Sequence, residues 1–133
     1  MKEMIYQELM TLDILDEGIF EDYHYVILSY CSHPCAYVDI PKSHQFYMCD
    51  CNDVDVKVHG DLSYNGSLEF VEPHNSGFYF GWDYAHCCDF CANMMRFYPN
   101  PKEYEGTHKH WTTKEIFNDV RSVIMQIKSY EVK

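Results

Sequence analysis

YHYVILSY, residues Tyr23 to Tyr30, followed after Ser32-His33-Pro34 by CAYVDI, residues Cys35 to Ile40, decides the fold class. Both runs are rich in β-branched and aromatic side chains, which suit a pleated surface, and Ser-His-Pro is turn chemistry. The pair is expected to form a β-hairpin. Pro41 ends the second strand, and KSHQFYMCDCND, Lys42 to Asp53, is too polar for a core element and reads as a loop. In VDVKVHG, Val54, Val56 and Val58 alternate with Asp55, Lys57 and His59. That period of two predicts a strand with the valines buried and His59 on the opposite face. Short strands follow at Leu62–Tyr64 and Leu68–Val71, separated by the turn signal Asn65-Gly66, and another at FYFGW, Phe78 to Trp82.

Toward the termini the period changes. Met4, Ile5, Leu9 and Leu12 recur at helical spacing ahead of Gly18, which predicts a short N-terminal amphipathic helix. Thr112 and Glu115 stand at capping-box spacing, and Ile116, Val120, Val123, Ile124 and Ile127 form an i, i+4, i+7, i+8, i+11 stripe. This C-terminal helix is expected to pack its stripe on the sheet. The expectation is one α+β domain over residues 1–133: an N-terminal helix, an antiparallel sheet of about five strands, and a C-terminal helix across one face.

The net charge of −11, with only ten Lys and Arg, argues against naked nucleic acid as a partner and favours a basic protein surface. No apolar run approaches a membrane span, and the N-terminus lacks signal-peptide features, so a cytoplasmic location is expected. Seven cysteines in a reducing compartment read as thiols or metal ligands before they read as disulfides.

Two sets of residues have metal-ligand chemistry, since zinc takes about four N, S or O donors. One joins His44 in the loop, His59 at the end of the valine run, and Asp83 and His86, three apart, after the FYFGW strand. The other is thiolate-rich: Cys49 and Cys51 form a CxC, Cys88 and Cys91 a CxxC, with Cys87 beside them. Taken singly, a strand histidine is more often a structural hydrogen-bonding residue, and a free cysteine a small core hydrophobe. Catalysis has little support. There is no HExxH, no phosphate-cradling glycine loop and no GxSxG elbow, although a metal with an open position could activate water beside Asp61 or Asp89.

The segments CAYVDIPKSHQFY, DVDVKVHGDLSY and GFYFGWDYAHCCD, closed by the C-terminal helix, resemble a family of small proteins encoded by bacteriophages and prophage-bearing bacteria. There the text runs approximately GYVGVPKGHPLYG, DVHGGLTY and GFDxAHxxD. The recurrent polar positions of that family correspond here to His44, His59, Asp83, His86 and Asp89, whereas the cysteines are not part of its pattern. Asp61 replaces a second glycine, and Gln45 a proline. The resemblance therefore selects the histidine and carboxylate set, with His44, His59, Asp83 and His86 holding one Zn2+ ion in a structural role. It carries no activity to transfer. It implies a phage context, in which small acidic proteins include anti-CRISPR inhibitors. The expected function is inhibition of a host defence protein in the host cytoplasm, a CRISPR effector nuclease first among candidates. The alternative is a metal-dependent hydrolase of a nucleotide or signalling molecule.

Overall fold

The computed structural model describes residues 12–30, 33–68, 76–91, 94, 97 and 99–131. The two runs rich in β-branched residues form the centre of the sheet. Strands β2 (Tyr23–Tyr30) and β3 (Pro34–Asp39) pair antiparallel with Ile27 opposite Ala36. β1 (Leu12–Phe20) pairs with β2, β5 (Tyr79–Asp83) with β3, and the short β4 (Tyr64–Gly66) with β5. The result is one five-stranded antiparallel sheet in the order β1-β2-β3-β5-β4. β2 reads as an almost unbroken apolar run because both its faces are covered. Tyr25 and Ile27 enter one cluster, and Val26 and Leu28 the other.

Helix α1 (Pro101–Thr107) starts at Asn100, whose side chain accepts from the Glu103 N–H, with proline at the first turn. Helix α2 (Thr113–Lys128) carries the expected capping box between Thr112 and Glu115. Its stripe residues Ile116, Val120, Val123, Ile124 and Ile127 are all fully buried against the sheet. The α+β class, the central hairpin and the C-terminal helix therefore stand as the sequence implies.

Three expectations do not hold. Leu12, the last apolar position assigned to an N-terminal helix, begins β1, and Gly18 faces Tyr25 across the hairpin. The rest of that predicted helix, residues 1–11, lies outside the described residues. The hairpin turn is Glu21-Asp22, both at positive φ (51° and 69°), a conformation that usually advertises itself with Asn or Gly. Second, Val54–His59 forms no strand and pairs with none among the described residues. The Gln126 side chain of α2 takes the place of a neighbouring strand, donating to Lys57 O and accepting from Lys57 N–H, both at 2.7 Å. Alternating burial needs only an apolar surface on one side, and α2 supplies it. Third, Asn65-Gly66 is not a turn. Both residues pair with β5 inside β4, and Asn65 Oδ1 accepts from Cys51 N–H at 3.0 Å. Of the expected strand Leu68–Val71, Leu68 is buried and residues 69–71 lie outside the described residues.

Candidate metal centre

Three chain segments meet beyond the end of β5. The valine run delivers His59, the turn after β5 delivers His86, and a one-residue parallel bridge between Asp89 and Lys109 delivers Asp89. That bridge is held by Lys109 N–H to Cys88 O (2.9 Å) and Phe90 N–H to Lys109 O (2.8 Å). The ligand atoms of His59, His86 and Asp89 lie within 4.8 Å of one another, so this group could hold a metal ion.

Asp89 is the hub. Its Oδ2 lies 2.8 Å from His59 Nε2 and 3.1 Å from His86 Nδ1, and it accepts from the His86 backbone N–H at 3.0 Å. Its Oδ1 accepts from the Trp111 indole N–H at 2.7 Å. Burial acts to raise the carboxyl pKa, but the bonds from His59, the His86 amide, Trp111 and the His86 ring outweigh it and hold the group below its ordinary value. Asp89 is therefore a buried anion. An ionised carboxylate only accepts, so both facing ring nitrogens carry protons here.

The His59 ring is fixed by aromatic neighbours. It stacks on Tyr84 with centroids 5.1 Å apart and planes 7° apart, and lies 4.7 Å from Trp111 and 5.0 Å from the His86 ring. Tyr84 is anchored in turn, donating to Asp119 Oδ2 at 2.6 Å and accepting from the Trp82 indole at 2.9 Å. Gly60, at φ 68°, makes room for His86: a Cβ there would lie 2.1 Å from His86 Cε1.

The donor set of two imidazoles and one carboxylate suits zinc and related ions, and the Trp111 bond to the second oxygen is the outer support such ligands usually have. Two bonds of about 2.0 Å at the tetrahedral angle span about 3.3 Å, so the carboxylate would retreat a few tenths of an ångström to admit an ion. His86 is the open side of the group, with its side chain 40% exposed and its Nε2 3.7 Å from Asp83 Oδ1.

Of the four predicted ligands, His59 and His86 meet, and Asp83 borders His86 without joining the three-residue group. His44 belongs elsewhere. Its Nδ1 accepts from Phe46 N–H at 3.0 Å and its Nε2 donates to Ile127 O at 2.8 Å, which ties the loop after Pro41 to the last turn of α2. Both ring nitrogens are thereby used, and the ring is buried. Asp89 takes the place given to His44; its spacing from His86, again three residues, was as visible in the sequence as that of Asp83. Among the described residues the thiols form no metal-ligand group. Cys35, Cys51 and Cys91 are buried, while Cys87 and Cys88 are exposed with sulfurs 3.7 Å apart. Among the described residues no helix is long and apolar enough to cross a membrane.

No protein-family model, no curated protein and no solved structure matches this chain.

Proposed function

We propose that the protein is a metal-binding, phage-encoded inhibitor of a host defence system, acting by docking on the basic nucleic-acid channel of a CRISPR effector nuclease. The observation that carries this reading is the acidic border of the sheet. Among the described residues β1 is an edge strand, and it and its turn bear Asp13, Asp16, Glu17, Glu21 and Asp22. A row of carboxylates along a strand and its turn, in a chain of net charge −11, complements a channel evolved for phosphates. One zinc ion on His59, His86 and Asp89 has a structural role, joining three segments that are far apart in sequence and lending its binding free energy to the fold.

The test is a cleavage assay with purified effector nucleases and a plaque assay on cells co-expressing the protein. Cleavage falls in its presence, and the double variant Asp13→Lys, Glu17→Lys restores it. Unchanged interference across the common effector classes rules the reading out.

A second reading, hydrolysis of a nucleotide or signalling molecule by the same metal group, is favoured by the exposed rim at His86 with Asp83 beside it. Under that reading His59→Ala abolishes a metal-dependent activity while the melting temperature is kept. Under the structural reading the same change chiefly lowers stability.

A further inference from the structure

Residues His86 to Asp89 form one tight turn, closed by the Asp89 N–H donating to His86 O at 2.9 Å. Both ends of the turn belong to the metal group, and its two central residues are Cys87 and Cys88, the exposed pair of thiols among the described residues. Their sulfurs lie 3.7 Å apart, in direct contact. Neither sulfur joins the ligand atoms of His59, His86 and Asp89. A cysteine that serves packing is buried, as Cys35, Cys51 and Cys91 are, so packing does not account for this pair.

Exposure lets a small disulfide reach both sulfurs. A disulfide bond is about 2.05 Å long, so closing one here brings the sulfurs about 1.7 Å nearer. Rotation of the side chains covers part of that, and the backbone supplies the rest. Neighbouring Cα atoms stand about 3.8 Å apart across a trans peptide, less than the roughly 4.4–6.8 Å that disulfides usually span. A bond closed under such constraint is readily reduced, which is the property of a regulatory disulfide rather than a structural one.

The two ends of the turn do not resist equally. On the Asp89 side, Cys88 O accepts from Lys109 N–H at 2.9 Å, Phe90 N–H donates to Lys109 O at 2.8 Å, and the Trp111 indole holds Asp89 Oδ1 at 2.7 Å. On the His86 side, amide and ring share one acceptor, Asp89 Oδ2, at 3.0 and 3.1 Å, with Asp83 Oδ1 further off at 3.7 Å. The His86 side chain is also 40% exposed. A change in the shape of the turn therefore moves Cys87 and His86 and leaves Asp89 in place.

We propose that Cys87 and Cys88 form a reversible vicinal disulfide by exchange with a low-molecular-weight disulfide of the glutathione class, and that closing it draws His86 away from Asp89. One protein sulfur gives its proton to solvent and attacks the reagent, which releases one small thiol and leaves a mixed disulfide. The neighbouring sulfur then attacks the protein sulfur of that mixed disulfide and releases the second small thiol. The protein loses two electrons and two protons, and the reagent takes up both as two thiols. A dithiol reductant reverses the reaction. The disulfide needs no metal; only its effect on zinc affinity rests on the zinc site proposed above.

Metal-free protein treated with oxidised glutathione is the test. Mass spectrometry should show the loss of two hydrogens with no glutathione retained, and peptide mapping should place the bond between Cys87 and Cys88 with Cys91 still open to alkylation after unfolding. Cys87→Ser and Cys88→Ser, each lacking the second sulfur, should instead keep one glutathione. Nitrogen chemical shifts of the His86 ring should lose the signature of its bond to Asp89 on oxidation and regain it with dithiothreitol. Zinc affinity should fall about ten-fold or more on oxidation of the wild type, and stay unchanged in the double variant Cys87→Ser, Cys88→Ser treated alike. The proposal is overturned by no reaction, by glutathione retained on the wild type, by a bond from either sulfur to Cys91, or by a His86 signature that survives oxidation. If the reduced protein takes up no zinc, the zinc site fails, and the mass and ring readouts still decide the disulfide.

Discussion

His59 Nε2 and Asp89 Oδ2, thirty residues apart in sequence, lie 2.8 Å apart, and the same oxygen also receives the amide and ring N–H of His86. One oxygen with three donors, and its twin bonded to Trp111, gives a buried carboxylate enough hydrogen bonds to remain ionised. Charge, tautomer and ring orientation in the group all follow from Asp89.

Asp89→Asn keeps the shape but sets an amide against N–H donors. It is expected to cost about 2–4 kcal/mol of stability, measured by urea unfolding at neutral pH. The carboxyl pKa is lowered in the folded protein, so the unfolded chain binds more protons and stability rises with pH through this group. Its contribution is full above the ordinary carboxylate value of about 3.9 and is lost as pH falls through the lower, folded value. The variant's stability should therefore fall less steeply than the wild type's in that acid window; parallel curves would mean that Asp89 is not the group responsible.

Both ring nitrogens facing Asp89 carry protons, so an ion that binds there requires each imidazole to shift its proton to the other ring nitrogen. Zinc uptake should be one-to-one and weaken as pH falls, because protons then compete for the imidazoles and the carboxylate. Calorimetry in buffers of different ionisation enthalpy reads the proton count. His59→Ala, His86→Ala and Asp89→Ala should each abolish uptake. His44→Ala should leave the stoichiometry at one while costing about 2–3 kcal/mol, because it strips partners from the buried Phe46 N–H and Ile127 O. Loss of zinc in the His44 variant would return that residue to the ligand set.

Gly60→Ala places a methyl group where the His86 ring lies, on a backbone with φ of 68°. The left-handed conformation alone costs an L-residue about 1–2 kcal/mol, and His86 must swing outward to clear the new atom. Both stability and zinc affinity should drop. A crystal structure of the variant with His86 still within hydrogen-bonding distance of Asp89 would contradict this account.

Much of this was legible in the sequence, for reasons visible in particular residues. Ile116, Val120, Val123, Ile124 and Ile127 have one period and one partner surface, so their stripe fixed α2 and its buried side. His59 and His86 entered the expected ligand set through the family resemblance and their polar neighbours, since a histidine taken singly reads as structural. Other features were hidden because they depend on tertiary partners. The backbone of Lys57, midway along the valine run, is held by one distant glutamine, Gln126, which no local period announces. Asn65-Gly66 has turn chemistry, yet Asn65 is occupied with Cys51 and the pair continues a strand. The choice between His44 and Asp89 turned on where two loops fold back, and only the contacts with Ile127 and Trp111 decide it.

Tyr84 separates the scaffold of the site from its chemistry. Its ring stacks on His59, while its hydroxyl bridges Trp82 and Asp119. Burial and the Asp119 carboxylate push the phenol far above its ordinary pKa, so it stays protonated and donates across the working pH range. Tyr84→Phe removes the bridge and keeps the stack. The Trp82 indole N–H then lacks its acceptor in a fully buried position, which should cost about 1–3 kcal/mol. Zinc stoichiometry should hold, because the face under His59 is unchanged. Tyr84→Ala removes the stack as well and should lower zinc affinity in addition to stability. If the two variants lose zinc equally, the hydroxyl bridge and not the ring holds His59 in place, and the aromatic sandwich has been assigned the wrong part.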